Sequence, residues 1–295
     1  MTQFLQLMFE GVSQGAVFAL IALGFSVIFR ASRVLNFAQG AMILVSAYLI
    51  SVLAVDAGLP FVLAVVLTIV VVAAGAVAFH RTILRRIYTR DVFAVVMITL
   101  GASIVLVAGV DAFFGGEPRI LGDPWGPSSI VLGGVTFTWV KIWGLAAALV
   151  VVAAFFAFDR FTRAGIAMRA TAEQEEAALA AGVPVGRIHA IAWAVAGLLA
   201  VLGGLFLAGF PSNVNPTLGN TALIAFPAIV LGGLDSPVGA LVGGLIIGLV
   251  QVLTAGYIPS ALGSNFGIVA PYIVMIGVLL VKPYGLFGSR PAERI

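Results

Sequence analysis

"GAVFALIALGFSVIFRASRVLNFAQGAMILVSAYL", residues 15–49, holds two apolar runs joined by a short stretch that carries Arg30 and Arg33. A helix needs about 20 apolar residues to cross the hydrocarbon core of a bilayer. The reading is therefore a span, a basic turn at the membrane surface, and a second span. Carried outward, the same test finds runs at 11–29, 35–55, 61–80, 92–114, 139–158, 188–209, 218–233, 238–256 and 266–281. The run at 218–233 is short and interrupted by Pro227, so it reads as a broken or re-entrant helix. The predicted fold is all-α, a polytopic transmembrane bundle of about 8–10 segments in a single domain over 1–295.

Composition requires the same class. Of 295 residues, 62% are hydrophobic and 9% charged, against about 25% charged in soluble domains. So few charges cannot dress a globular surface, and lipid must be the main solvent. The absence of cysteine excludes disulfides, thiolate metal sites and a cysteine nucleophile. The opening "MTQFLQLMFEGVSQG" lacks the basic start of a cleavable leader, so the first run is read as a retained span.

The basic residues orient the chain. Arg30 and Arg33 follow the first run; Arg81, Arg85, Arg86 and Arg90 follow the third. Arg160, Arg163, Arg169 and Arg187 lie between the fifth and sixth, and Lys282, Arg290 and Arg294 follow the last. With alternating crossings every Lys and Arg except Arg119 and Lys141 falls on one side. The positive-inside rule then places the amino terminus outside, and the 159–187 connection and carboxyl terminus in the cytoplasm. An excess so dispersed over loops gives no reason to expect nucleic-acid binding.

The outer segment 115–138 has turn-forming Gly and Pro clusters and a Val/Thr/Phe alternation that suggests a short hairpin. Trp125, Trp139 and Trp143 suit the headgroup level. This loop either anchors and closes the fold or serves as a docking surface for an external partner.

The connection "DRFTRAGIAMRATAEQEEAALAAGVPVGRIHA", 159–190, is polar in a greasy chain. A short helix is expected from Thr171 to Ala181, with Thr171 or Thr162 as cap, Glu173, Glu175 and Glu176 in its first half, and Gly182 as its stop before Pro184. It is either a solvated linker or a helix presented to another subunit.

Polar residues inside spans are the candidates for a solute path. Asn36 and Gln39 stand at i, i+3 where the second run begins. A helix broken near Gly40 would offer free amides to an anionic group such as an amino-acid carboxylate. A cap and interhelical hydrogen bonds would explain the same pair. Thr99 and Ser103 lie one turn apart in the fourth run, as path residues or as helix glue. Asn213, Asn215 and Asn220 form a polar outer loop or an outer gate. Gly239–Gly243 and Gly244–Gly248 are two Gly-x-x-x-Gly pairs that allow close helix packing, within the chain or against a second subunit.

No enzyme chemistry is legible. The two histidines, His80 and His189, stand at span ends, and there is neither a catalytic carboxylate pair nor a lysine-bearing phosphate loop. No metal site and no cofactor on this chain are expected.

"EAALAAG" at 176–182 resembles the Glu-Ala-Ala–three residues–Gly signature of permease subunits of ATP-binding-cassette importers. The stretch 15–49 with Asn36–Gly40, "FPAIVLGGLDSPVGALVGGLIIGLVQ" at 226–251 and "VKPYGLFG" at 281–288 are similar, in the same order, to elements of the branched-chain amino-acid permease family, H-type subunit. The sequence departs from the family pattern at Gln39, where His is common, at Gly40-Ala41, where Gly-Glu is common, and at Asp235, where a small residue is usual. These departures bear on the choice of solute.

The resemblance implies a multi-pass subunit of the bacterial plasma (inner) membrane that imports branched-chain amino acids or related small solutes. Glu173, Glu175, Glu176, Ala177, Ala178, Gly182 and Arg187 would form the helix that couples to ATPase subunits. ATP and Mg would be bound by two such cassette subunits, solute would arrive on an external binding protein, and a paralogous second permease would complete the pore. Two other classes compete. An ion-coupled secondary transporter would need mid-span acids or histidines, which are nearly lacking. A membrane scaffold or receptor would transport nothing.

Overall fold

In lipid a backbone can satisfy its polar groups only as helix or closed barrel, and helices cover the apolar runs in the computed structural model, which describes residues 2–87, 92–209, 211–258 and 266–288. The basic residues Arg90, Arg290 and Arg294 lie outside them. The spans are α1 (Thr2–Ser32), α2 (Gln39–Ser51, continued by a π-turn Val52–Asp56), α3 (Phe61–Thr82) and α4 (Val92–Phe114). After the antiparallel hairpin β1 (Ser129–Leu132) and β2 (Val135–Thr138) comes α5 (Trp139–Phe161). Two short helices, α6 (Arg163–Glu173) and α7 (Glu175–Ala180), precede α8 (Val185–Ala208). The broken run forms α9 (Leu218–Ile224) and α10 (Phe226–Gly232), followed by α11 (Pro237–Tyr257) and α12 (Phe266–Val281).

Burial sorts the helices into layers. α1 is almost wholly enclosed, α2 and α8 are mostly so, and α3, α4 and α5 turn most of their surface outward. The outward faces are apolar, including Val62, Val70, Ile104, Val105, Leu149 and Val150. Such a surface suits lipid and would be untenable in water.

Glycines allow a close contact between antiparallel α1 and α11. A Cβ at Gly244 would reach 2.5 Å from Ala19 Cα, one at Gly248 would overlap the backbone of Gly15, and one at Gly11 would meet Leu249. Gly239 and Gly243 face the other way, where a Cβ would overlap the carbonyls of Gly232 and Ala228 in α10. The two glycine pairs thus serve two different neighbours within the chain, and all four positions are occupied there rather than left for a second subunit.

Two spans are interrupted at the same depth. Arg33 ends α1 in left-handed backbone (φ 55), and residues 34–38 are not helical. Gln39 nevertheless lies far inside: a Cβ at Gly24 would come 2.6 Å from Gln39 Nε2, and Gly24 stands roughly 12 Å from the end of α1 at 1.5 Å rise per residue. The break therefore falls before Gln39 and not at Gly40, which already belongs to the first turn of α2. Beside it, α9 begins where a Cβ at Gly219 would sit 3.6 Å from the Gly40 carbonyl. The chain reaches that point from Val214, which is bridged to Arg119.

One end of the bundle gathers the basic residues. Asp159 of α5 accepts from Arg30 of α1 at 3.0 Å and lies 3.3 Å from Arg169 of α6. The 282–288 tail lies against the α10–α11 turn, with Leu286 and Phe287 donating backbone hydrogen bonds to Leu231 and Gly232. The other end carries the hairpin, where Gln6 and Thr136 exchange hydrogen bonds of 2.7 and 3.1 Å.

Candidate functional site

The polar connection begins where Thr162 caps α6, its hydroxyl accepting from Gly165 N at 3.0 Å. Thr171 lies inside α6 and returns its hydroxyl to Ala167 O at 2.9 Å. The expected single helix 171–181 is in fact divided at Gln174, whose extended backbone (φ −153, ψ 99) ends α6 and starts α7. Glu173 thus closes one helix, while Glu175 and Glu176 occupy the first turn of the next, where its dipole favours them.

α7 ends in a closed turn. Gly182 has φ +81, Val183 N donates to Ala178 O at 2.9 Å, and Gly182 N donates to Leu179 O at 2.9 Å. These are the paired bonds of a Schellman stop, which needs a residue at ease in left-handed backbone. Ala178 is the buried anchor, whereas Glu175, Glu176, Ala177, Leu179, Gly182 and Arg187 are exposed. Among the residues of α7, Ala178 alone is buried.

Arg33 connects this end to the break in α2. Its guanidinium donates to Ala172 O at 2.7 Å and stands 3.8 Å from Asp235 Oδ2 in the α10–α11 turn. Three residues on, Asn36 is 1% exposed, and its side chain accepts from Ala38 N at 3.0 Å and donates to Gln39 Oε1 at 3.3 Å. Gln39, fully buried, donates to Ala196 O of α8 at 3.3 Å. Thr99 Oγ1 accepts from Phe37 N at 3.4 Å and donates to Val96 O at 2.9 Å. The structure therefore brings Asn36, Gln39 and Thr99 to one place. Ser103 lies one turn further along α4, half-buried and apart from them.

Next to this polar knot is an apolar cavity of about 610 Å³ between α2, α3, α4 and α8, lined among others by Ala38, Met42, Phe79, Ile98, Leu106 and Trp193. Met42 Sδ lies 3.7 Å from Asn36 Nδ2, so amide groups meet the cavity at one corner. His80 and His189 pack edge to face at 5.8 Å between α3 and α8, with Trp193 stacked on His80. Among the described residues no group of acidic, His or Cys side chains could hold a metal ion.

Arg33 and Asp159 are the residues sequence reasoning passed over, and Asp235, noted there only as a departure from the family pattern, stands here beside Arg33. Asp159 carried a signal, as an acid at a span end opposite Arg30. Arg33 was counted only as a topogenic charge.

A helical bundle with two spans interrupted side by side, and an exposed helical connection at one end, has the build of a membrane permease. The chain belongs to the branched-chain amino acid permease family: the model for "Branched-chain amino acid transport system / permease component" matches residues 7–281. It is 30% identical to the high-affinity branched-chain amino acid transport system permease protein LivH of Escherichia coli K12, over 99% of this chain and 98% of that one. It is 29% identical to a probable LivH of Methanocaldococcus jannaschii over 91% and 88%, and 26% identical to BraD of Pseudomonas aeruginosa over 99% and 98%. No solved structure matches it. The chain is a multi-pass permease subunit of an ATP-binding-cassette importer and not an enzyme.

Proposed function

We propose that this chain forms part of the path by which branched-chain amino acids, or closely related small solutes, cross the membrane by alternating access. Its basic end faces the cytoplasm, where α7 docks on one of two ATPase subunits that bind ATP and Mg. A paralogous permease completes the pore, and an external binding protein delivers solute at the hairpin end. The branched-chain amino acid transport for which the LivH and BraD relatives are named supports the solute class.

The observation that carries the reading is the continuity from α7 to the interrupted span. α6 leads into α7, Arg33 grips the end of α6, and the same short turn places Asn36 and Gln39 at mid-depth. Half-helix ends at that depth are where transporters bind charged groups, and irregular backbone there is tolerated only when buried or lining a cavity. The α-carboxylate would meet the amides near Asn36 and Gln39 on the path that includes Thr99 and Ser103. The adjoining apolar cavity suits a branched aliphatic side chain.

The test is uptake of labelled L-leucine into proteoliposomes that hold the complete importer, with its binding protein and ATP supplied on the appropriate sides. Leucine uptake that requires ATP and partner ATPases is the expected result. Uptake that survives removal of those subunits would refute it.

A further inference from the structure

A second cavity, at the hairpin end, has mixed polar and apolar walls and is about 240 Å³ in volume. It lies between α1, α5, the end of α8 and the 211–217 segment, with Ser13, Gln14, Lys141 and Asn213 among its walls. Ser13 is 3% exposed, and its hydroxyl has no hydrogen-bond partner among the described residues. A buried hydroxyl left unpaired is costly, and native folds rarely keep one without a use.

Lys141 belongs to the cavity wall, and its ammonium stands beside the carboxylate of Glu10, which lies outside the lining, one turn of α1 before Ser13. Lys141 Nζ is 3.4 Å from Glu10 Oε1, with the two side chains 31% and 33% exposed. Charge-assisted bonds close to about 2.7–2.9 Å, so this pair is loose. Glu10 is nonetheless fixed in place: Gln6 donates to its Oε1 at 2.8 Å and is itself bonded twice to the backbone of Thr136. Leu218 forms part of the cavity wall, and the next residue, Gly219, lies against Gly40 at the start of α2. The cavity therefore adjoins the interrupted spans from the hairpin side.

We infer that this cavity is an entry site for a zwitterionic α-amino acid, its carboxylate on Lys141 and its ammonium on Glu10, with Ser13 supplying a further polar contact. The inference rests on the amino-acid reading above and adds a site to it. A zwitterion replaces one loose ion pair by two without changing net charge, so neither protein charge is left alone. A solute with only one of the two charges leaves Lys141 or Glu10 without a partner. The site thus selects α-amino acids from amines, amides and simple carboxylic acids before the side chain is read.

The test is equilibrium binding of labelled L-leucine to the full-length permease in lipid nanodiscs, without binding protein, alongside leucine uptake by the complete importer. Lys141→Met should weaken L-leucine binding about tenfold or more, while Lys141→Arg stays within about threefold of the parent. L-Leucinamide, which lacks the carboxylate, should compete about tenfold more weakly than L-leucine in the parent and equally in Lys141→Met. Ser13→Val, on a separate helix, should weaken binding through the cavity alone. Parent protein that binds leucinamide as well as leucine, or Lys141→Met that binds leucine unchanged, overturns the entry site even if ATP-driven leucine uptake is intact. A complete importer that takes up no amino acid overturns instead the reading on which the site rests.

Discussion

Arg33 donates a 2.7 Å hydrogen bond to the carbonyl of Ala172, joining the turn that leads into an interrupted span to the last turn of the helix before α7. The guanidinium also faces Asp235 at 3.8 Å. A cation at a helix carboxyl end is favoured by the dipole, and here it comes from a distant part of the chain. The joint is exposed, so its contribution to stability is small. Arg33→Ala should leave assembly and ATP turnover in place while lowering leucine taken up per ATP. Arg33→Gly should show the same transport defect with a higher unfolding temperature, because glycine removes the left-handed strain at φ 55, about 1 kcal/mol. Equal coupling in Arg33→Ala and the parent would sink this assignment.

Gly182 separates backbone need from space. No atom lies within 4 Å of a Cβ placed there, yet φ is +81. Gly182→Val should therefore fail through conformation, about 1–2 kcal/mol of left-handed strain, and open the stop of α7. Membrane insertion should be retained and ATP hydrolysis uncoupled from uptake. Gly182→Asn, which tolerates left-handed backbone, should remain close to the parent. The ratio of ATP hydrolysed to leucine transported checks both variants; unchanged coupling in Gly182→Val removes α7 from the ATPase contact.

Asp159 holds two arginines from different helices and is 9% exposed. Removing its carboxylate leaves both cations facing one another where α1, α5 and α6 meet. Asp159→Ala should cost about 2–4 kcal/mol, seen as a lower unfolding temperature in detergent. Asp159→Glu should recover part of it. A variant as stable as the parent would mean that water screens the cluster fully.

The sequence made the spans legible because lipid demands long apolar helices and leaves few alternatives, and Pro227 marked the broken run. The interruptions were less so. Gly40 looked like the point of fracture, but Asn36 decides it by folding its side chain onto the Ala38 amide, and glycine was not needed. The split at Gln174 has neither Gly nor Pro to announce it. The candidate path was legible as residue types, since buried amides in lipid stand out. That Thr99 joins them while Ser103 does not depends on the Phe37 amide, which only the folded chain brings near α4.

Glycines of similar appearance should divide sharply on substitution. Gly248→Leu drives a side chain into the backbone of Gly15 and should prevent α1 from seating against α11, with loss of folded protein from the membrane. Gly101 in α4 has open space around it and is exposed, so Gly101→Ala should express and transport as the parent does. Folded Gly248→Leu at parental yield would contradict the packing.

Asn36 permits the sharpest test of the path. Its Oδ1 accepts from Ala38 N at 3.0 Å, a bond that the Asn36→Asp variant would keep, because a carboxylate accepts as well as an amide oxygen does. The Asn36 side-chain amide also donates to Gln39 Oε1 at 3.3 Å, a bond that both Asp and Ala lose, so folding alone does not order the two variants and affinity in the folded complex is the readout. If a solute carboxylate passes this point, Asp is the worse replacement for affinity. A fixed negative charge at a buried site repels that carboxylate, and the half-saturating leucine concentration should rise about tenfold or more in Asn36→Asp, with a smaller rise in Asn36→Ala. Gln39→Ala, which loses the bond to Ala196 of α8, should fall between them. Transport kinetics of the three variants, normalised to folded complex, decide the matter. If Asn36→Asp transports leucine with parental affinity and Asn36→Ala does not, Asn36 is a cap and the carboxylate takes another route.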